Sequence, residues 1–187
     1  MIREANRSKI EPLETLRLRL IPGDAALLRA EIENPEEFSM KLAAKVPQNW
    51  PPETMRPVHL HFLQQLEQNP QIIGWLTWYW LLKRPPPGPA FLIGCGGFKG
   101  PPRQDGRVEI GYSVLPQYRN RGYASEAVVA LIDWAFFHPQ VIRIVAETEC
   151  ENIPSIRVLE KLNFVTLEEA SSSRIFLFEL QRERHLH

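Results

Sequence analysis

The five residues Leu16-Arg17-Leu18-Arg19-Leu20 alternate apolar and basic side chains, the period of a strand with one buried face. Pro22-Gly23-Asp24 then breaks the pattern, and Asp24 stands where it can cap a helix over 25–32. That helix ends at Asn34-Pro35, because the residue before proline avoids helical angles. Three prolines within Val46-Pro47-Gln48-Asn49-Trp50-Pro51-Pro52 exclude regular structure there, and the spacing of Leu60, Leu63 and Leu66 predicts a short amphipathic helix over 59–66. The tryptophan-rich run 73–82 and the run 90–98 read as two strands joined by a stiff turn, Lys83-Arg84-Pro85-Pro86-Pro87-Gly88-Pro89. Further on, the periods predict a strand over 107–115, a helix over 123–138, a strand over 141–149, a helix over 154–162 and a closing strand pair over 164–167 and 174–180. Strands interleaved with helices imply an α/β or α+β sheet carrying helices on its faces, and no fixed repeat period suggests a solenoid.

Composition narrows the partners. The chain has 187 residues, a length suited to one domain spanning 1–187. Its 22 basic residues match its 22 acidic ones, so bulk charge gives no argument for nucleic acid or an anionic membrane, and partners must be argued from sites. Cys95 and Cys150 have no paired spacing, which fits a reducing cytoplasm and supports neither a zinc cluster nor a disulfide framework. Residues 1–10 carry Arg3, Glu4, Arg7 and Lys9 without the apolar run of a signal peptide, and no segment has the apolar length of a membrane span. The terminal Glu183-Arg184-His185-Leu186-His187 reads as a frayed tail, with no metal expected. Gly94, Gly96 and Gly97 resemble a dinucleotide fingerprint on the surface, but Lys99-Gly100-Pro101-Pro102 forbids the helix such a motif needs; these glycines mark a bulge or a close backbone approach.

The chemically informative stretch runs from Val108 to Ala127. A buried strand ends at Pro116, a basic loop follows, and a helix starts near Gly122. A helix start presents unpaired N–H groups and the positive end of the helix dipole, which bind phosphate through the backbone. Gly122 and Ala124 are small where a diphosphate would approach, and Arg119 and Arg121 add positive charge. The same residues would equally suit an ordinary strand-to-helix turn, in which glycine eases the bend.

Arg119-Asn120-Arg121-Gly122-Tyr123-Ala124 resembles the Gln/Arg-x-x-Gly-x-Gly/Ala loop of GNAT acetyltransferases, and Glu109-Ile110-Gly111-Tyr112 resembles the strand before it in the RimJ/RimL-type branch. A second stretch, Asn152-Ile153-Pro154-Ser155-Ile156-Arg157-Val158-Leu159-Glu160-Lys161-Leu162-Asn163-Phe164, is similar to that branch's Asn-x-x-Ser-x-x-Val-Leu-Glu-Lys-Leu-Gly-Phe. The likeness spans most of the chain and thins over 33–71. Asn163 replaces a glycine at a helix end, a conservative change because asparagine also tolerates left-handed backbone. Leu159 stands where many GNAT enzymes place an acidic tyrosine.

The resemblance implies a single GNAT-like domain: a mixed, mostly antiparallel, twisted sheet with helices on both faces and a splayed acyl-CoA cleft. It implies direct attack of a primary amine on acetyl-CoA, with no covalent acyl-enzyme and no metal. The backbone of Val114 and Leu115 would hold the pantetheine arm, and Arg119, Asn120, Arg121, Gly122, Tyr123 and Ala124 the diphosphate. Asn152 would touch the pantetheine amide or cap its helix. Ser155 would donate to the departing thiolate or cap that helix. Glu109 and Glu147 are the candidate bases, each of which could instead be a solvated or arginine-paired carboxylate. Trp50, framed by prolines, either lines the acceptor pocket or packs its loop onto the core. Cys150 reads as a small buried strand residue, not a nucleophile. The acceptor is a small amine or a peptide N-terminus, and the protein a monomer or homodimer. The alternatives are a catalytically inactive acyl-CoA-binding module and a nucleotide-phosphate binder; the latter lacks the lysine-threonine pair of a Walker loop.

Overall fold

The computed structural model describes residues 10–52, 55–85, 87–169 and 174–185. The amino-terminal charges at 1–9, Pro86 of the proline turn, and Leu186 and His187 of the tail lie outside the described residues. Among those described, nine strands form one sheet: β1 (Leu13–Glu14), β2 (Leu18–Pro22), β3 (Ala44–Lys45), β4 (Thr77–Leu82), β5 (Ala90–Phe98), β6 (Arg107–Val114), β7 (Arg143–Glu149), β8 (Val165–Glu169) and β9 (Ile175–Gln181). Their order is β1-β2-β4-β5-β6-β7-β9-β8, with β3 added parallel to the start of β5. Every other pairing is antiparallel except β6 with β7, whose crossover is the helix α4 (Tyr123–Phe137).

Two apolar cores lie on opposite faces of this sheet. On one face α4 and α5 (Ile153–Lys161) bury Leu131, Ile132, Ala135 and Leu159 against Trp78, Trp80, Val108, Ile110 and Ile144. On the other, α1 (Ala25–Glu33), α2 (Pro35–Leu42) and α3 (Arg56–Gln68) bury Leu28, Phe38 and Leu66 against Tyr79, Leu81, Leu92 and Cys95. The alternation of β4 explains the division, since Trp78 and Trp80 point to one core and Tyr79 and Leu81 to the other.

Local chemistry sets most boundaries. Asp24 accepts from the Leu27 N–H at 2.7 Å and starts α1. Pro35 ends α1, as its missing N–H requires, but it also opens α2, with Asn34 accepting from the Glu37 N–H as cap; proline is well suited to a first helical turn. Sequence periodicity left α2 unread. The first strand also differs from expectation. Leu16 is 90% exposed, because Thr15 folds back onto Leu18 through its N–H and hydroxyl and the strand starts at Leu18. Residues 182–185 beyond β9 form a short helix: α6 (Arg182–His185) sets the Arg182 guanidinium against the Phe136, His138 and Val141 carbonyls and so closes the end of α4, while His185 reaches Asp133 at 2.6 Å. The strand glycines mark close approaches. A Cβ on Gly97 would stand 1.8 Å from the Leu76 carbonyl oxygen, and one on Gly94 2.5 Å from that of Ser113.

Candidate active site

The two strands β6 and β7 pair through only three positions, Arg107 with Arg143, Val108 with Ile144 and Glu109 with Val145. Beyond Glu109, β6 continues to Val114 bonded only to β5, while β7 continues to Glu149 bonded only to β9. The seam therefore opens into a V. Gly111 stands in that opening, exposed, and a Cβ built on it would meet nothing within 4 Å.

The backbone of β6 is available to this opening in alternate residues. The Leu115 N–H donates to Ile93 O at 2.9 Å, and Glu109 O accepts from the Lys99 N–H at 2.9 Å, so odd-numbered residues face β5. Tyr112 and Val114 consequently direct their N–H and C=O groups into the V. Arg119 Nε donates to Val114 O at 2.9 Å. This corrects the expectation for Leu115. Its N–H is held by Ile93 and its carbonyl accepts from the Tyr118 N–H, which leaves the free backbone donor to Val114.

From Val114 the chain passes through a short 3-10 turn, Pro116–Tyr118, to the loop 119–122. Asn120 takes left-handed backbone (φ 59°) and Gly122 does so again (φ 77°) as the residue before α4. No side chain caps α4, and Arg119, Asn120, Arg121 and Gly122 are all exposed. A helix start in this state carries unpaired donors and partial positive charge into solvent. Tyr123 and Ala124, the first residues of α4, are half-buried.

Across the V, α5 begins with Asn152, whose side-chain oxygen accepts from the Ser155 N–H at 3.3 Å. Ser155 Oγ lies 3.0 Å from the Tyr112 hydroxyl, which also approaches the Ser155 carbonyl at 3.3 Å. This pair ties β6 to the first turn of α5. Burial pushes the Tyr112 hydroxyl above its ordinary value, and the Ser155 hydrogen bond opposes that shift only in part. Tyr112 was missed by sequence reasoning, which looked for a tyrosine at position 159. Leu159 is fully buried in the α4–α5 core and cannot reach the opening.

On the opposite face, Glu109 and Glu147 flank the closed foot of the V. Lys99 lies between them, in contact with Glu109 Oε1 and 3.9 Å from Glu147 Oε2. The Glu109 side chain is only 12% exposed, and its Oε1, although beside the ammonium, accepts no hydrogen bond in proper geometry. Glu147 is half exposed. Among the described residues neither carboxylate pairs with an arginine, since Arg143 serves Asp105 and Glu179. Sequence reasoning singled out both glutamates but not the lysine joining them, although Lys99 follows β5 directly and its N–H continues the ladder to Glu109.

Trp50 lies with 9% exposure beside a cavity of about 380 Å³ lined also by Glu31, Phe38, Val46 and Gln48. Its indole N–H donates to Glu31 Oε1 at 2.5 Å. The other Glu31 oxygen accepts from the Tyr79 hydroxyl at 2.9 Å and meets His59 Nδ1 at 2.7 Å. Trp50 thus both packs its loop and lines a cavity. Burial, reinforced by the Glu31 charge, pushes both the Tyr79 hydroxyl and the Cys95 thiol upward, so Cys95 stays a neutral thiol. Cys150 is half-buried in the turn after β7, not within a strand. Among the described residues no cluster could hold a metal ion, and no helix is long and apolar enough to cross a membrane.

This architecture has close counterparts. Residues 15–165 match the model of the acetyltransferase (GNAT) domain. An uncharacterized N-acetyltransferase of Bacillus subtilis, YjdG, is 30% identical over 166 residues, covering 89% of this chain and 96% of that protein. Among solved structures, the ribosomal-protein-S5-alanine acetyltransferase of Vibrio fischeri superposes with a TM-score of 0.62 at 19% identity, over 93% of this chain and 98% of the other. Mycobacterium smegmatis RimJ, in complex with CoA-disulfide, gives 0.59 at 17% identity, over 93% and 91%. At such identities the likeness is one of fold; the family follows from the domain match and from YjdG, and on those grounds the chain belongs to the GNAT acetyltransferases.

Proposed function

We propose that the chain binds acetyl-CoA along the open arm of β6 and transfers the acetyl group directly to a primary amine, as a RimJ/RimL-like N-acetyltransferase of a small amine or a peptide N-terminus. The observation that carries this reading is the opening of the β6–β7 seam after Glu109, with Gly111 facing empty space and the uncapped start of α4 beyond it. The free backbone donor of Val114 suits the amide groups of a pantetheine arm, and the exposed loop from Arg119 to Gly122, with the first turn of α4, suits a diphosphate. Asn152 suits the second side of the arm.

In the reaction the amine nitrogen forms a bond to the thioester carbonyl carbon, and the carbon–sulfur bond breaks. The proton lost by the amine passes to Glu109, directly or through water, because this carboxylate is mostly buried at the foot of the opening, with its charge held by the Lys99 ammonium. Glu147, more exposed and linked through Lys99, tunes that charge. The departing thiolate is stabilised by a hydrogen bond from the Ser155 hydroxyl, backed by Tyr112 at 3.0 Å, and takes up through solvent the proton that Glu109 releases. The Trp50 cavity receives the body of the acceptor. Support for the RimJ/RimL-like assignment comes from the spaced motifs at 119–124 and 152–164 and from the named structural neighbours.

Thiol release from acetyl-CoA, scanned over amines and N-terminal peptides, tests the reading. A productive acceptor should appear, and Glu109→Gln should slow it at neutral pH, spare CoA affinity and regain rate as pH rises. Binding of acetyl-CoA with no amine-dependent thiol release would favour a non-catalytic acyl-CoA module, the reading to which the buried Leu159 gives weight.

A further inference from the structure

A residue far from the loop in sequence reaches it from the turn between β1 and β2. Thr15 Oγ1 and the Arg17 N–H both donate to Glu126 Oε1, at 2.6 and 2.7 Å, and Arg17 Nε donates to Glu126 Oε2 at 2.6 Å. Arg17 Nη1 donates to the Arg121 carbonyl, inside the loop, at 2.9 Å. The guanidinium carbon lies over the Tyr123 ring, 4.5 Å from its centre. Two of its three nitrogens are thereby fixed. The third, Nη2, makes no hydrogen bond among the described residues, and a Cβ built on Gly122 would lie 3.4 Å from it. The side chain is 40% exposed.

The exposed Arg119 and Arg121 and the uncapped start of α4 make this loop positive. Glu126, in the first turn of α4, would repel a phosphate at that helix start if its charge were unmatched. Arg17 neutralises it and at the same time is aimed by it. A guanidinium is a rigid fork, so fixing Nε and Nη1 also fixes the direction in which Nη2 donates. We propose that Arg17 is a third arginine of the diphosphate site, held by Glu126 and the Arg121 carbonyl so that Nη2 donates to an oxygen of the acyl-CoA diphosphate. This rests on the reading of residues 119–124 as the diphosphate loop.

The test is calorimetric titration of wild type and Arg17→Gln with three probes: CoA, 3′-dephospho-CoA, which keeps the diphosphate, and pantetheine, which has none. The loss of one charge-assisted contact predicts that Arg17→Gln binds CoA and dephospho-CoA about 10- to 100-fold more weakly, both to the same extent, with pantetheine unchanged. Arg17→Lys, which keeps the charge but loses the fork, should fall between, and it reads the same comparison should Arg17→Gln not fold. Equal weakening of all three probes would overturn the proposal in favour of a structural clasp. Weakening of CoA alone would move the contact to the 3′-phosphate and overturn it too. Unaltered binding of all three would leave Arg17 no role. A wild type that bound no CoA would instead overturn the loop reading itself, so the two failures are distinct.

Discussion

Strand β6 has two neighbours and treats them differently. Against β5 it is paired without a break from Gly94 with Val114 to Phe98 with Ile110, and that seam is lined by buried side chains. Against β7 it keeps three pairs and then parts. The glycines make the contrast sharp, because Gly97 and Gly111 are register partners in the same sheet. Gly97 is small because the Leu76 carbonyl closes over it, whereas Gly111 has nothing above it. One seam is closed by packing and the other stands open, and it is along the open one that we propose acetyl-CoA binds.

The comparison can be broken most severely at Gly97. Gly97→Ala places a Cβ against backbone that cannot yield, and should lower stability by about 3 kcal/mol or more, the upper range of overpacking. For a chain of this size that is a fall of roughly 6–12 °C in Tm, read by thermal melting. Gly111→Val should do the reverse, keeping Tm within about 2 °C of wild type, because a β-branched residue suits an open strand position. It should nevertheless reduce acetyl transfer about 100-fold, the penalty for displacing a reacting group by about an ångström.

The pair that ties β6 to α5 comes next in size. Ser155→Ala should slow turnover by about 100-fold, the lower range for losing one hydrogen-bond donor to charge developing in the transition state. Tyr112→Phe should slow it about tenfold, because Ser155 keeps its own hydroxyl. Tyr112 holds its proton above the ordinary tyrosine value of about 10, so it remains a donor throughout the neutral and mildly alkaline range. Its share of stability is full below that ordinary value and is lost as pH rises through the higher folded value. Alkaline melting curves of wild type and Tyr112→Phe should converge there.

The smallest effect sharpens the loop. Burial alone would raise the Glu126 carboxyl, but hydrogen bonds from Thr15 and Arg17 outweigh it and hold the group below the usual carboxylate range. Glu126 therefore stabilises the fold fully above about pH 4.3, the unfolded value, and loses that contribution as pH falls through the lower folded value. Tm measured from pH 6 downward should decline less in Glu126→Gln than in wild type.

How much was legible in the sequence divides along the same line. The loop and helix start at 119–124 could be read because everything that makes them is local: a strand end, two arginines, one glycine and a helical period. The α/β alternation of the second half was equally readable. What the sequence hid was contact between distant residues. Arg17 meets Glu126 across 109 positions, Tyr112 meets Ser155 across 43, and Glu31 gathers Trp50, His59 and Tyr79 from three separate elements. Periodicity misplaced the first strand because Leu16 obeys the alternation while sitting in a turn, and the rule that proline ends helices concealed that Pro35 begins one.

The central claim is that the open β6–β7 seam is where acetyl-CoA meets an amine. It is tested most directly by thiol release from acetyl-CoA under a panel of primary amines, with wild type and Gly111→Val compared at equal folded concentration. The account predicts amine-dependent release by wild type and its near-complete loss in Gly111→Val, with both proteins melting at the same temperature. Undiminished release by Gly111→Val would contradict it.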